Sequence, residues 1–460
     1  MNFNIFQDIF AKFEEISNNY KRENQYFDIL YDSISSIIIF KTPTSEDISI
    51  NSKKAGIVAR TFTGTWNEIG IQENEDLDIF QKKLPKVTKK GDLISEFEAW
   101  SMNKEIQPRI DPKLIPIEEK LEKVRSIFNF IQNFDTRILK TKVKYLETLM
   151  TRIFVNNEGS QLRQVLPHIR VYITPVAKEG RKTDFDHFTV GGMKGFEIFE
   201  EITDIKLEEL AKNSIEMLDA EKAPNGNFPI ILDPNMTGLV AHESFGHGLE
   251  ADQIIRERSY LKDKKNQKVA SDICAIYDTP SLENKSGSYF FDDEGIRAGK
   301  NALVENGILR NFIYDRRTAS LLNALPQGNG RRENYVHTIH PRMSNTYFEP
   351  GDYEIDEMIS EIKKGVILVE GYFGMEDPLG GGCQCTSRKG YLIENGEKVK
   401  LLKRIALSGQ VLDLFQNIDA ISKDDKNFYC GTCGKGYEDL VPVSSGGPYL
   451  RIKKALISPG

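Results

Sequence analysis

Phe6, Ile9, Phe10, Phe13 and Ile16 recur at the three- and four-residue spacing of an amphipathic helix. The period then changes. Residues 26–31, 35–40 and 55–63 are rich in aromatic and β-branched side chains and read as strands. A polar, charged stretch over 72–92 is expected to be helix and loop. Helical spacing returns at Leu121, Val124, Ile127, Phe128 and Ile131. Two long strand-like segments follow, 141–154 and 163–175, with Asn156-Asn157-Glu158-Gly159 as the turn between them. A third helix is expected over 207–218. Ala223-Pro224-Asn225-Gly226-Asn227 reads as a linker.

After it, Phe228-Pro229-Ile230-Ile231-Leu232 has the apolar run of a buried strand, and Asp233 or Asn235 is placed to cap a helix. The remainder is mostly β, with Asn-Gly hairpin turns at Glu305-Asn306-Gly307 and Glu394-Asn395-Gly396. Short helices are expected over 315–323 and 355–363. The pattern predicts an α+β protein. An α/β domain over 1–222 precedes a mostly antiparallel β domain over 223–460, which carries the histidine-bearing helix described below.

Composition narrows the classes. The chain has 460 residues, 39% hydrophobic and 28% charged, enough apolar material for a sizeable core in two or three domains. Its net charge is −7 and no basic stripe stands out, which argues against a nucleic-acid partner. Apolar runs such as Ile37-Ile38-Ile39-Phe40 are too short to span a bilayer. Asp8, Lys12, Glu14 and Glu15 interrupt the first helix, unlike the apolar centre of a signal peptide. Five cysteines in such a chain point to metal or thiol chemistry before disulfides, and a cytoplasmic protein is expected.

The chemistry concentrates at Leu239-Val240-Ala241-His242-Glu243-Ser244-Phe245-Gly246-His247-Gly248. Imidazoles bind zinc, and a neighbouring carboxylate can take a proton from metal-activated water. Zinc peptidases commonly space their histidines i and i+4. Here the spacing is i and i+5, which on a regular helix separates the rings by roughly 140°. Both reach one ion only if the helix widens or breaks, as a π-type turn would allow. Gly246 and Gly248 are expected to ease that distortion. A catalytic zinc needs a third protein ligand, and two cysteine pairs are on offer, Cys383-Gln384-Cys385 and Cys430-Gly431-Thr432-Cys433.

The segment His242–Asp252, followed by Asp292-Asp293-Glu294-Gly295, Leu303-Val304-Glu305-Asn306-Gly307 and Gly328-Asn329-Gly330-Arg331-Arg332, resembles the TldD/PmbA metallopeptidase family in its catalytic TldD branch. Pro341-Arg342-Met343-Ser344-Asn345-Thr346 and Cys433-Gly434-Lys435 ahead of Val441-Pro442-Val443 extend the resemblance over the carboxy-terminal half. The amino-terminal half matches in outline, through residues 56–60 and its helix–strand order. The resemblance implies zinc held by His242, His247 and Cys433, with Glu243 as general base and Cys430 without a role. It also implies a homodimer, or a heterodimer with a related subunit lacking the metal site, acting on short or unfolded peptides inside an enclosed cavity. Glu250 and Asp252 are candidates to orient the histidines, or the solvated end of the helix. Arg331 and Arg332 are candidates to hold a peptide carbonyl or carboxylate, or to pair with Asp292, Asp293 or Glu294. His337 or Tyr335 is a candidate to stabilise an oxyanion. The competing reading is a non-catalytic binding or scaffolding subunit of such a dimer. A zinc nucleobase deaminase does not fit, because that class uses His-x-Glu and Pro-Cys-x-x-Cys.

Overall fold

The computed structural model describes residues 3–21, 26–62, 65–84, 97–435 and 440–460. The amino-terminal half is built on one sheet, with neighbouring strands Trp66–Gln72, Glu46–Phe62, Tyr26–Lys41, Ile138–Asn156, Gln161–Glu179 and Ser101–Glu105. Each neighbouring pair is antiparallel except the last. The expected α/β domain is therefore an antiparallel sheet carrying helices, not a series of parallel crossovers. The cause is local: Asn156 Oδ1 accepts from the N–H groups of Gly159 and Ser160, closing a tight turn that folds two long strands back on each other.

Residues 26–31 and 35–40 fall in one strand, because the polar interruption at Asp32 is answered by Arg152 Nε at 3.2 Å on the adjacent strand. Helix Ile117–Gln132 lays Val124, Ile127, Phe128 and Ile131 on Val143, Tyr145 and Ile169, together with Leu207, Leu210 and Ala211 from helix Asp204–Glu216. Phe13, Ile16 and Tyr20 of helix Phe3–Lys21 pack with Phe27 and Ile29. Helix Asp78–Lys83 lies in the polar stretch, whose positions 85–92 fall outside the described residues.

The expected linker is shorter than its sequence suggests. Glu221–Lys222 pairs beside Leu402 and Lys403, and Gly226 opens the next strand. A seven-stranded sheet runs through Ile418–Ile421, Leu450–Pro459, Gly226–Leu232, Lys364–Glu376, Gly382–Glu394, Glu397–Gln410 and Glu221–Lys222. A six-stranded sheet runs through Ile308–Leu309, Asn301–Glu305, Ile276–Asp278, Asn345–Phe348, Val441–Gly447 and Asn427–Cys433. Both Asn-Gly turns are present, with Asn306, Gly307, Asn395 and Gly396 all at positive φ.

Helix Pro234–Val240 packs against Val441–Gly447 of one sheet and Lys364–Glu376 of the other. Its Gly238 allows the closest approach: a Cβ there would stand 2.4 Å from the backbone of Gly446. Buried charges join the halves. Arg60 pairs with Asp28 beside it and with Glu294 at 3.2 Å, and Arg152 pairs with Asp32 and with Asp293 at 2.6 Å.

Candidate metal centre

Strand Gly226–Leu232 delivers the chain to Asp233, whose carboxylate accepts from Met236 N at 2.7 Å and starts helix Pro234–Val240 with proline in its first turn. The α-helix then gives way to a π-helical turn over Ala241–Gly246 and a 3-10 turn over His247–Leu249. The widened turn brings the His242 and His247 ring centroids to 5.2 Å, with their planes 84° apart. Tyr260 donates its hydroxyl to Ser244 O at 2.8 Å, inside the widened turn.

Gly246 plays a different part from the one expected. Its φ of −59° and ψ of −48° are ordinary helical values. It lacks a side chain because a Cβ would stand 1.9 Å from Met343 Sδ. Gly248 likewise makes room, for the ring of Tyr260.

Cys433 ends strand Asn427–Cys433, and its Sγ lies 3.6 Å from His247 Nε2. Arg342 Nη2 donates to the Cys433 carbonyl at 2.8 Å. One ligand atom each from His242, His247 and Cys433 falls within 4.8 Å of the others. Burial opposes ionisation of the Cys433 thiol, but the charges of His247 and His242 outweigh it and hold the thiol well below its ordinary value. Burial likewise opposes protonation of His247, while Cys433 and then Glu250 hold its imidazolium well above the usual range. Three unlike segments thus present two imidazoles and a thiolate to one buried point, and His242 Nδ1 is buried with no hydrogen-bond partner. Nitrogen and sulfur donors in that number fit a zinc ion with one position left open.

Among the described residues, no other cysteine joins this group, although Cys430 lines the cavity that His242 and Glu243 also line. Cys430 lies against Gly191, and Cys385 Sγ is 3.6 Å from Ser244 Oγ, its thiol pushed up by burial.

Glu243 carries its carboxylate 4.0 Å from His247 Nε2. It faces a cavity of about 350 Å³ whose walls include His242, Leu239, Glu370, Tyr372 and Tyr429. Gly374 makes room for it: a Cβ there would stand 2.3 Å from Glu243 Cγ.

Glu250 is the hub behind the histidine. Its Oε2 is 3.5 Å from His247 Nδ1 and accepts from Lys435 Nζ at 2.9 Å, and its Oε1 lies 3.9 Å from Arg342 Nε. Burial pushes the Glu250 carboxyl upward, but Lys435 and then His247 more than reverse this and hold it far below the usual range. Asp252 accepts from Lys435 Nζ at 2.7 Å and so reaches the site through it. Two residues near the site had no role assigned from the sequence, Lys435, which appears there only within its motif, and Glu376. Lys435 stands two positions from Cys433, a spacing that was visible. Glu376 was not: burial first, then Glu250 and Glu243, push its carboxyl up to about 8 against the opposing pull of His247. Only the alternation of its strand with Gly374 betrays it.

Four further candidate side chains have the following surroundings. Arg331 is buried and donates to the carbonyls of Met343 at 2.6 Å and Pro442 at 2.8 Å, so its guanidinium braces backbone. Its neighbour Arg332 meets Asp293 through backbone N–H and sends its side chain to Glu68 at 3.0 Å. His337 lies in a bend, with Nε2 3.9 Å from Glu333. Tyr335 sets its ring against Gly56 and its carbonyl oxygen against Gly70, where a Cβ would stand 2.3 Å and 2.7 Å from them.

Two family models match the chain: the PmbA/TldA metallopeptidase central domain over residues 110–220 and the PmbA/TldA metallopeptidase C-terminal domain over 225–459. A metalloprotease of Methanocaldococcus jannaschii is 33% identical over 428 residues, 91% of this chain and 93% of that protein. A zinc metalloprotease TldD homologue of Saccharolobus solfataricus is 30% identical, over 73% of this chain and 75% of its own length. A crystal structure from Thermotoga maritima, described as a modulator of a DNA gyrase, superposes with a TM-score of 0.80 at 19% identity. It covers 99% of this chain and 100% of its own, and at that identity the likeness is one of fold.

Proposed function

The chain belongs to the PmbA/TldD family of metallopeptidases, and on that premise we propose that it is a zinc-dependent peptidase of the TldD branch, cleaving short or unfolded peptides. One observation carries the reading: His242, His247 and Cys433 converge to within 4.8 Å of one another, with Glu243 beside them. These three would hold the ion. When bound, zinc polarises a peptide carbonyl and makes water nucleophilic near neutral pH. Glu243, which is not a ligand, takes the proton of the attacking water and passes it to the leaving amine. Glu250 engages His247 Nδ1 and so leaves Nε2 for the metal. A thiolate ligand lowers the net positive charge of the site, which places more of the proton-transfer task on Glu243.

The substrate class follows from the family and from the β-rich walls, which suit extended backbone. The family also leads us to a dimer, with a second copy or with a related subunit that lacks the metal set. The cytoplasmic setting expected from the sequence is kept as part of this proposal; among the described residues, no helix is long and apolar enough to cross a membrane. A purely scaffolding subunit would not need His242, Glu243, His247 and Cys433 together.

The test is casein cleavage measured with elemental analysis. Glu243→Ala is expected to abolish cleavage and keep the zinc. Cys433→Ala is expected to lose most of the zinc, and Cys430→Ala to retain it. Wild-type cleavage by Glu243→Ala, or zinc lost only from Cys430→Ala, would overturn the assignment.

A further inference from the structure

The cavity beside Glu243 carries a second polar cluster. His187 and Glu370 line it. An oxygen of Asp186, an oxygen of Glu370 and a nitrogen of His187 lie within 4.8 Å of one another. Asp186 and His187 come from the junction between strands Lys182–Phe185 and Phe188–Gly192 of the first half. Glu370 comes from strand Lys364–Glu376 of the second. Lys389 Nζ, from the neighbouring strand, stands 3.0 Å from Asp186 and 2.7 Å from Glu370.

Two carboxyl groups therefore face one ammonium. Asp186 and Lys389 are both buried and suffice as an ion pair between the halves. Glu370 is surplus to that pair. It keeps 28% of its side chain exposed, yet its Oε2 is buried with no hydrogen-bond donor, and His187 Nδ1 is buried without a partner as well. The Glu370 backbone sits at φ 60°, unusual for a non-glycine residue in a strand, and its N–H donates to Asp233 Oδ2 at 3.1 Å. Burial first, then Asp186, push its carboxyl up to about 8 despite Lys389, the state of an acid short of positive charge. The exposed rings of Tyr372 and Tyr429 share the cavity wall and offer faces to a cation. The nearby cations are already engaged: Arg388 by Asp184, and Arg170 by Tyr172, Thr432 and the Gly431 carbonyl.

The position along the cavity is set by the strand. Gly374 abuts Glu243, and Glu370 precedes it by four residues. At about 3.3 Å per residue this is roughly 13 Å, less what the bulge between Gly371 and Phe373 takes up. An extended peptide covers that distance in about three residues.

We infer that Glu370, with Asp186 and His187, anchors a protonated amine of the peptide substrate about three residues from the bond that is cut. The amine is either a free α-amino group or a lysine side chain. An ammonium fits better than a metal dication, because Lys389 already places one ammonium against the same carboxylates and would repel a double charge. This inference rests on the peptidase reading above and deepens it.

The test uses the zinc-loaded full chain and a neutral, fluorogenic, unstructured peptide series. One lysine is moved position by position across the cleaved bond. A second set carries a free or acetylated amino terminus at the same spacings. Cleavage of the neutral parent tests the peptidase reading alone. The anchor predicts that kcat/KM, relative to that parent, rises about three- to tenfold when the charge lies about three residues away, on one side of the bond. The lysine and amino-terminal sets report which source is preferred. In Glu370→Gln the ratio of charged to neutral kcat/KM should fall to near one. A wild-type ratio independent of charge position, or a ratio unchanged in Glu370→Gln, would overturn the anchor while leaving the peptidase reading standing.

Discussion

At the scale of single residues, Glu243 is positioned by an amino acid with no side chain. Gly374 leaves the space its Cγ occupies, at 2.3 Å from where a Cβ would be. Gly374→Ala should displace the carboxylate and lower kcat by about tenfold or more, the scale of a misplaced general base. Zinc content should not change, because the atoms nearest to a Cβ at Gly374 belong to Glu243 and not to the three proposed ligands. Steady-state kinetics with metal analysis checks this; an unchanged kcat would mean that Glu243 is placed by something else. His242, Glu243 and His247 were legible because they are neighbours in sequence with a chemical signature. Gly374 and Glu376 were not, because nothing local marks a glycine or a glutamate on a strand as facing a helix far away in the chain.

At the scale of elements, the i and i+5 spacing foretold a distorted helix, and the π turn over Ala241–Gly246 has that form. The role of Gly246 differs, and the two accounts predict opposite signs. Were it present for backbone freedom, Ala would be neutral or stabilising at its helical φ and ψ. Because Met343 Sδ fills the Cβ position, Gly246→Ala should destabilise by about 1–3 kcal/mol. Adding Met343→Ala should remove most of that difference, and urea unfolding of the single and double variants decides it.

The cap of the same helix gives a pH signature. Burial pushes the Asp233 carboxyl up to about 6, although Met236 and Glu370 donate backbone N–H bonds to it. Its folded value thus exceeds the unfolded value of about 3.9, so the folded state holds the extra proton between these limits. Stability from this group is present at low pH and is lost as pH rises from about 4 to 6, by about 2–3 kcal/mol. Asp233→Asn keeps a capping oxygen but cannot titrate. Its stability relative to the wild type should therefore climb over that window in thermal melts, and a flat difference would refute the shifted carboxyl.

At the scale of the whole molecule, the halves are joined by buried charges. Arg60 serves Asp28 of its own sheet and Glu294 of the other half, and Arg152 serves Asp32 and Asp293 in the same way. Arg60→Met would leave two carboxylates buried without their cation and should lower stability by about 3–5 kcal/mol. Trp100, whose Nε1 donates to Gly295 O at 3.0 Å across the same junction, gives a fluorescence readout. A loss below about 1 kcal/mol would mean that the network is solvated. The proposed preference for unfolded chains also carries a prediction about substrates. A stable globular protein should be spared, and the same protein should be cut once reduced and unfolded, because presenting a free strand requires local opening that few folded molecules undergo. Equal cleavage of both forms would place the site at an open surface.

The sequence by itself determined the elements and the proposed chemistry. Hydrophobic period sets helix or strand locally, Asn306-Gly307 and Asn395-Gly396 turn because their backbones tolerate positive φ, and His-Glu-x-x-x-His announces its strain through spacing alone. Tertiary structure decided what lies between distant segments. The amino-terminal sheet is antiparallel because its strands pair through tight turns, a choice that apolar content cannot express. Arg331 and Tyr335 look available on the sequence, yet their partners are a carbonyl pair and two glycines that only packing brings near. Cys433 rather than Cys430 faces the histidines because strand pairing fixes which side chain ends at the helix, and residue type leaves that choice open.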